Sequence, residues 1–452
     1  MKNNLKYLYR VVNNILTTLI ATAPYIWIWL AHLNSMLFKV FLFKGNIVMI
    51  LFYAILATVL ISIFGGYKIE TSKQSNILLS QFIGLFCVNI CEIFITMLMV
   101  GYLSYVPKIT CYFLLVFGIQ TVSLFVFTYF TMILYRRIFP PYKVLHIHGY
   151  RNNLLKNKMM ERWDTYSIEK DICFDKALED INEIIKPYDI ILINDVPNEK
   201  RNLIVKACFI HSKKVYFTPK LSDIIVKGAD NLHVFDTPLF YCNNRVMSFI
   251  DEVVKRIGDI FISLILIVFS SPIMILTALA IFAYDRGPVF YRQTRLTKNG
   301  KTFKILKFRS MIVDAEKDGK ARLASENDDR ITPVGRFIRA CRIDELPQFF
   351  NILGGSMSIV GPRPERPEIA EEYYKELPQF VYRLKVKAGL TGYAQIYGKY
   401  NTTSYDKLKL DMLYVENCSI LLDIKIILLT LKVIFQKEST EGLEEGETIA
   451  MK

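Results

Sequence analysis

The chain has 452 residues, 52% of them hydrophobic, with 56 Lys and Arg against 42 Asp and Glu, a formal charge of +14. So large an apolar share, concentrated toward the N-terminus, argues against an ordinary soluble enzyme and for membrane spans. The basic excess suits anionic headgroups, phosphorylated substrates or a positive-inside bias, and no nucleic-acid-binding motif accompanies it.

Eight cysteines (Cys87, Cys91, Cys111, Cys173, Cys208, Cys242, Cys341, Cys418) include no C-x-x-C pair. They read as reduced small hydrophobes, with neither a disulfide framework nor zinc-ligand spacing.

Four apolar runs open the chain, at 15–33, 47–64, 77–103 and 112–135. Each approaches the twenty or so residues that cross a bilayer core. Polar residues precede the first run and no small-residue cleavage site follows, so it is expected to be retained. Lys2, Lys6 and Arg10, then Lys68 and Lys73, then Arg136, Arg137 and Lys143 outnumber Lys39, Lys44 and Lys108 in the alternate loops. Both ends of a four-helix unit, residues 1–141, are therefore expected in the cytoplasm. Glu92, inside the third run, is expected to be a paired or interfacial carboxylate.

Residues 142–240 change texture to soluble α/β. Strand-like runs at 144–147, 190–193, 214–217 and 232–234 alternate with helical patterns such as 176–185. The alternation predicts a small parallel, Rossmann-like sheet. Only Gly149 stands where a dinucleotide loop wants three glycines, so a structural or regulatory role is expected. His146 and His148 share a strand face and read as packing residues.

Residues 241–452 form the last region. An apolar run at about 257–284 is interrupted by Ser270-Ser271-Pro272. Proline removes a backbone donor, so a kink is expected there, returning the segment as a re-entrant hairpin with both charged ends in the cytoplasm. Residues 420–435 are apolar apart from Asp423, Lys425, Thr430 and Lys432, which suits either an interfacial helix or a buried core helix.

Between these lies the segment richest in chemistry. Asn299-Gly300 is a hairpin signal, and Lys304, Lys307 and Arg309 extend from its returning strand, where they could neutralise phosphate oxygens. Asp344 and Glu345 stand side by side after Arg336, Arg339 and Arg342. Pro347 is placed to start a helix, which would put Asp344 at a helix N-terminus. Pro362 and Pro364 clamp Arg363, a rigid setting for bidentate anion binding.

The elements Lys307-Phe308-Arg309-Ser310-Met311, Asp344-Glu345-Leu346-Pro347-Gln348, Val360-Gly361-Pro362-Arg363-Pro364 and Gly389-Leu390-Thr391-Gly392-Tyr393-Ala394-Gln395 occur in family order. With the preceding hydrophobic segment, about 250–442 resembles the bacterial sugar transferase family, the monotopic polyprenyl-phosphate phosphoglycosyl transferases. The four spans and α/β domain resemble its long-form subgroup, which initiates exopolysaccharide, capsule or O-antigen assembly.

The resemblance implies a multi-pass α and α/β protein of the bacterial inner membrane, with its re-entrant-helix catalytic domain mainly helical and facing the cytoplasm. It implies transfer of a sugar-1-phosphate from a UDP-sugar to undecaprenyl phosphate. Asp344 would be the nucleophile and Glu345 its acidic partner, both near Mg2+. Lys307, Arg309, Arg339, Arg363 and Gln395 would contact substrate, and Ser271-Pro272 would be the re-entrant break. A homodimer is compatible with the long form. Ser356, where the family usually has Asp, is left out of the site, and Ala388 replaces a frequent proline. Among rival readings, a transporter would need more broken helices, and a nucleotide-sugar dehydratase would need the missing glycine loop. A non-catalytic scaffold or export regulator would leave the arginine-rich Asp-Glu segment unexplained.

Overall fold

The computed structural model describes residues 2–150, 155–242, 246–313, 330–398 and 402–434. The chain is mainly helical and divides into two compact units, Met1–Thr218 and Pro219–Lys452. Residues 151–154 after the first strand, and 435–442 of the family-like segment, lie outside the described residues.

The first unit begins with helices α1 (Lys2–Ile28), α2 (Phe43–Phe64), α3 (Gln74–Val100) and α4 (Val106–Ile138). They largely coincide with four helical segments long and apolar enough to cross a membrane. Gly65 (φ 85°) ends α2, because a left-handed terminal residue closes the last turn at no steric cost to glycine. Ala21, Ile61, Leu85 and Leu124 pack at the centre of the bundle. A polar string joins them: Gln120 donates to the Tyr53 hydroxyl (2.6 Å), and Asn89 donates to Gln120 (2.9 Å). Glu92 is fully buried, with the Tyr25 hydroxyl 3.5 Å from its carboxylate.

The same unit carries the α/β layer. Strands β1 (Tyr142–His148), β2 (Tyr166–Cys173), β3 (Ile190–Asn194) and β4 (Lys214–Phe217) make an all-parallel sheet in the order β2-β1-β3-β4. Helices α5 (Leu155–Met160), α6 (Phe174–Glu179), α7 (Ile181–Ile184) and α8 (Asn198–Ile210) connect the strands. Leu145, Ile147, Ile191 and Ile193 pack on Phe174, Ala177, Ile204 and Cys208. Gly149 is explained by backbone proximity: a Cβ there would lie 2.1 Å from the Asp195 carbonyl oxygen. His146 pairs with Asp171 of β2 at 2.8 Å, tying two strands together.

Two details differ from the sequence reading. β2 was not foreseen: residues 169–171 are three consecutive charged side chains on an edge strand, which hides the apolar alternation. The expected strand at 232–234 does not join the parallel sheet. It lies in β5 (Asp230–Val234), which pairs antiparallel with β6 (Thr237–Tyr241) across Phe235-Asp236, within the second unit. Phe235 takes φ 56°, which permits the tight reversal.

The second unit opens with α9 (Leu221–Lys227) and the β5–β6 hairpin, and is built around α10 (Phe249–Asp285). Ser271 and Pro272, where a break is expected, lie inside this helix, which is assigned over 37 residues. Pro272 cannot donate to the carbonyl four residues earlier, that of Val268, and the Ser271 hydroxyl donates to that oxygen instead (2.8 Å). One side of α10 packs on the rest of the unit: Ile262 and Ile267 against Ile305, Phe349 and Ile352, then Met274 and Ile281 against Phe308 and Ile338. Phe261, Phe269, Ile275 and Leu276 are exposed.

Hairpin strands β7 (Phe290–Leu296) and β8 (Thr302–Phe308) pair antiparallel, with Asn299 (φ 61°) and Gly300 (φ 73°) at the tip, as the Asn-Gly dipeptide predicts. Helices α11 (Pro333–Ala340), α12 (Gln348–Leu353), α13 (Pro367–Glu376), α14 (Tyr393–Tyr397), α15 (Ser404–Glu416) and α16 (Ile420–Ile434) follow. Short strands β9 (Ser358–Val360) and β10 (Gly389–Thr391) pair in parallel between them. α16 buries Ile426 in the core and exposes Leu421 and Ile424, so it has both an inward and an outward apolar face.

The Ser271 hydroxyl matters only while Pro272 leaves Val268 without an amide donor. Ser271→Ala is expected to destabilise the protein in nanodiscs by about 1–2 kcal/mol, and by much less in a Pro272→Ala background. Thermal unfolding of the four proteins measures the difference; equal losses in both backgrounds would contradict this account of the helix.

Candidate active site

α11 sets up the site. Its N-terminus is capped by Thr332, whose hydroxyl accepts from the Gly335 amide (2.9 Å), with Pro333 in the first turn. It stops at Cys341, and Arg342 takes a left-handed conformation (φ 55°) costly for a side chain with a Cβ. That reversal leads into a single 3-10 turn, Ile343–Glu345, carrying both acids. Asp344 is therefore not at the N-terminus of α12, as the position of Pro347 had suggested. The helix starts at Gln348, with Pro347 as its cap residue.

Two distant segments converge on Glu345. Lys307, next to last in β8, donates to Glu345 Oε1 (3.1 Å), and Arg363, between its two prolines, donates to the same oxygen (3.3 Å). Burial raises the Glu345 carboxyl, but the Lys307 and Arg363 charges, with Arg342, outweigh it and hold the group well below the usual carboxylate range. Asp344 is shifted the opposite way. Burial raises it above the ordinary aspartate value, with Glu345 adding to the rise and Lys307, Arg339 and Arg363 opposing it. No hydrogen bond or ion pair to another described residue engages its carboxylate. Neighbouring acids are driven apart in this way: Glu345 remains a fixed anion, and Asp344 is the more basic carboxylate of the two.

The other expected contacts are placed unevenly. Arg339 lies on α11 near enough to act electrostatically on Asp344. Arg309 is only 7% exposed and ion-paired with Asp285, so this cation braces the end of α10. Gln395 donates to the Leu390 carbonyl (3.1 Å) from α14, holding the β10–α14 turn. Ser271 and Pro272 lie within α10, in the arrangement described above.

The two departures from the family pattern fit locally. Ala388 uses the amide that proline would lack, donating to the Thr297 hydroxyl (3.2 Å). Ser356 bonds the Asn351 carbonyl through its hydroxyl (3.1 Å). Sequence reasoning missed Asp259, whose carboxylate accepts from the Ile359 amide (3.1 Å) at the strand leading to Arg363. An acid within an apolar run was the available signal. It also missed Lys255, which pairs with Asp423 (2.5 Å) and donates to the Val360 carbonyl (3.1 Å).

Among the described residues no cluster of three or more His, Cys, Asp or Glu could hold a metal. The Asp344-Glu345 pair nevertheless suits Mg2+. This hard cation takes oxygen ligands and is commonly held by one or two carboxylates together with substrate phosphates.

Comparison with known proteins places this geometry. Residues 250–437 match the model of the family described as bacterial sugar transferase. The chain is 42% identical over 210 residues to the UDP-glucose:undecaprenyl-phosphate glucose-1-phosphate transferase of Klebsiella pneumoniae, covering 45% of this chain and 43% of that one. It is 35% identical over 254 residues to the UDP-N-acetylgalactosamine-undecaprenyl-phosphate N-acetylgalactosaminephosphotransferase of Aeromonas hydrophila, covering 55% and 59%. It thus spans about half the length of these two relatives. Against a candidate undecaprenyl-phosphate N-acetylgalactosaminyl 1-phosphate transferase of Bacillus subtilis (strain 168), identity is 47% over 131 residues, covering 29% of this chain and 73% of that one. With its hydrophobic helix, its paired acids and its proline-clamped arginine, this chain belongs to the bacterial sugar transferase family.

Proposed function

We propose that the protein is a membrane enzyme that transfers a sugar-1-phosphate from a UDP-sugar to undecaprenyl phosphate and releases UMP, initiating exopolysaccharide, capsule or O-antigen assembly. The observation that carries this reading is the Asp344-Glu345 pair, in which Glu345 takes two cations while Asp344 has no bonded partner among the described residues.

The chemistry follows from that division. An Asp344 carboxylate oxygen attacks the β-phosphorus of the UDP-sugar. A P–O bond to the attacking oxygen forms, the bond to the bridging oxygen breaks, and its electron pair leaves with UMP. A polyprenyl phosphate oxygen then attacks the same phosphorus, and the bond to Asp344 breaks, restoring the carboxylate. Both leaving groups are stable anions, so the demand falls on charge stabilisation rather than proton transfer. Lys307 and Arg363 each spend one donor on Glu345 and keep others for diphosphate oxygens. Arg339 adds a third positive charge. Bound Mg2+, held by Asp344 and Glu345 with substrate phosphate, would supply further neutralisation.

The membrane arrangement supports an amphiphilic acceptor. Near one end of α10, Arg256 donates to the Ile352 (2.6 Å) and Leu353 (2.7 Å) carbonyls; at the other end Asp285 pairs with Arg309. Two ends fastened to one polar core favour the same side of the bilayer, and UDP-sugars make that side cytoplasmic. The exposed apolar residues of α10 and α16 then meet lipid, setting the site at headgroup depth. Relatives are named for glucose, galactose and N-acetylgalactosamine, so the sugar is left unspecified.

Membranes carrying the protein are expected to release UMP from at least one UDP-sugar, and Asp344→Asn to slow this by at least about 1,000-fold without loss of folded protein. UMP release unchanged in Asp344→Asn would instead favour a scaffold or regulator of export.

The pH dependence has a definite sign. Protonation removes the nucleophile, so activity falls with falling pH, with a midpoint above the ordinary aspartate value of about 3.9. Lys307 lowers the pKa of Asp344, so Lys307→Met is expected to move this acid limb to higher pH as well as slowing turnover. Initial rates across the acid range read the shift; a limb moving to lower pH would contradict the assignment.

A further inference from the structure

Behind Arg363 lies a set of buried charges that the transfer chemistry does not use. The segment Pro362-Arg363-Pro364-Glu365 has two prolines and hence few amides with which to hold itself. Its four consecutive carbonyls nevertheless all accept hydrogen bonds from outside the segment. Gly389 donates to Pro362 (2.9 Å), Arg383 to Arg363 (2.8 Å), Arg295 to Pro364 (3.2 Å) and the Leu296 amide to Glu365 (2.9 Å).

Two of these donors are guanidinium groups, and the Arg383 group is sealed from solvent. Arg383 and Asp411 are 2% and 1% exposed, with Arg383 Nη2 2.7 Å from Asp411 Oδ2. Arg383 Nη1 lies 3.5 Å from the Glu365 carboxylate, which Lys407 also pairs with. A buried pair of this kind adds little net stability, because desolvation offsets the Coulomb attraction, and apolar residues of similar volume often serve as well. What an apolar pair could not supply is the donor to the Arg363 carbonyl.

We infer that Arg383 and Asp411 are positioning residues: Asp411 orients the Arg383 guanidinium, which holds the Arg363 backbone so that its side chain faces the substrate diphosphate. The inference rests on the phosphoryl-transfer reading for the role of Arg363, but its structural part stands independently. Neither residue touches substrate. Glu365 supports the same arrangement: burial raises its carboxyl, and Lys407 and Arg383 overcome that and bring it to about 2, so it remains an anion beneath the segment.

The test uses the full chain in nanodiscs, comparing wild type with Arg383→Met/Asp411→Leu, which replaces the charge pair by apolar volume. The expected result is a retained unfolding transition with kcat/KM for the UDP-sugar lowered on the order of 100-fold, the cost of a displaced binding group. In an Arg363→Ala background the same pair of substitutions is expected to cause no further loss, since they act through that residue. Hydrogen exchange at the Gly389 and Leu296 amides, which bond on either side of Arg363, is expected to accelerate. Should the double variant fail to fold, Arg383→Lys keeps the charge but not the guanidinium fork, and roughly tenfold loss with faster exchange at the same amides is expected. Full activity in a folded variant, or an undiminished loss in the Arg363→Ala background, would overturn the inference. If the wild type turned over no UDP-sugar, the functional reading would fall. Unchanged exchange at Gly389 and Leu296 would overturn the positioning claim by itself.

Discussion

The site depends on one oxygen atom, Glu345 Oε1, that accepts hydrogen bonds from Lys307 and Arg363 together. Without that anion two cations from different segments would repel each other at close range; with it they form a clamp. The same arrangement leaves the neighbouring Asp344 without a bonded partner among the described residues and half-buried, and burial raises its pKa while three cations limit the rise. One carboxylate thus organises the positive charge, and the adjacent one is the proposed nucleophile. The left-handed Arg342 and the single 3-10 turn after it allow two consecutive residues to take such different parts.

The rest of the second unit holds that clamp at a fixed place relative to α10. Lys255 reaches the Val360 carbonyl and Asp259 accepts from the Ile359 amide, so the hydrophobic helix is bonded directly to the strand that feeds Arg363. Arg309 and Asp285 repeat the connection where β8 ends, two residues past Lys307. α10 is therefore joined to both segments that present the cations. For the proposed acceptor, whose phosphate would lie at the membrane surface, this coupling would set the depth of the chemistry.

Much of this was legible in the sequence, for identifiable reasons. Long apolar runs, Asn299-Gly300 and the paired acids each leave a local signature, and the structure contains the helices, the hairpin and the acid pair they indicate. What was not legible depends on contacts between distant residues. Arg309 looks like a phosphate ligand beside Lys307, yet one residue beyond the end of β8 it is buried against Asp285. β2 was hidden because Glu169, Lys170 and Asp171 interrupt its apolar pattern, and Asp171 serves to bond His146. At Pro272 the assigned helix continues, and the hydroxyl beside it supplies a donor that the proline lacks. The charges behind Arg363 come from positions 295, 383, 407 and 411, and no local pattern joins them.

The most direct measurement is mass spectrometry of peptides from protein incubated with a UDP-sugar in the absence of polyprenyl phosphate and rapidly quenched. The account predicts that a peptide containing Asp344 gains the mass of one sugar phosphate, and that added undecaprenyl phosphate removes it. An adduct on any other residue, or turnover with no adduct at all under single-turnover conditions, would contradict it.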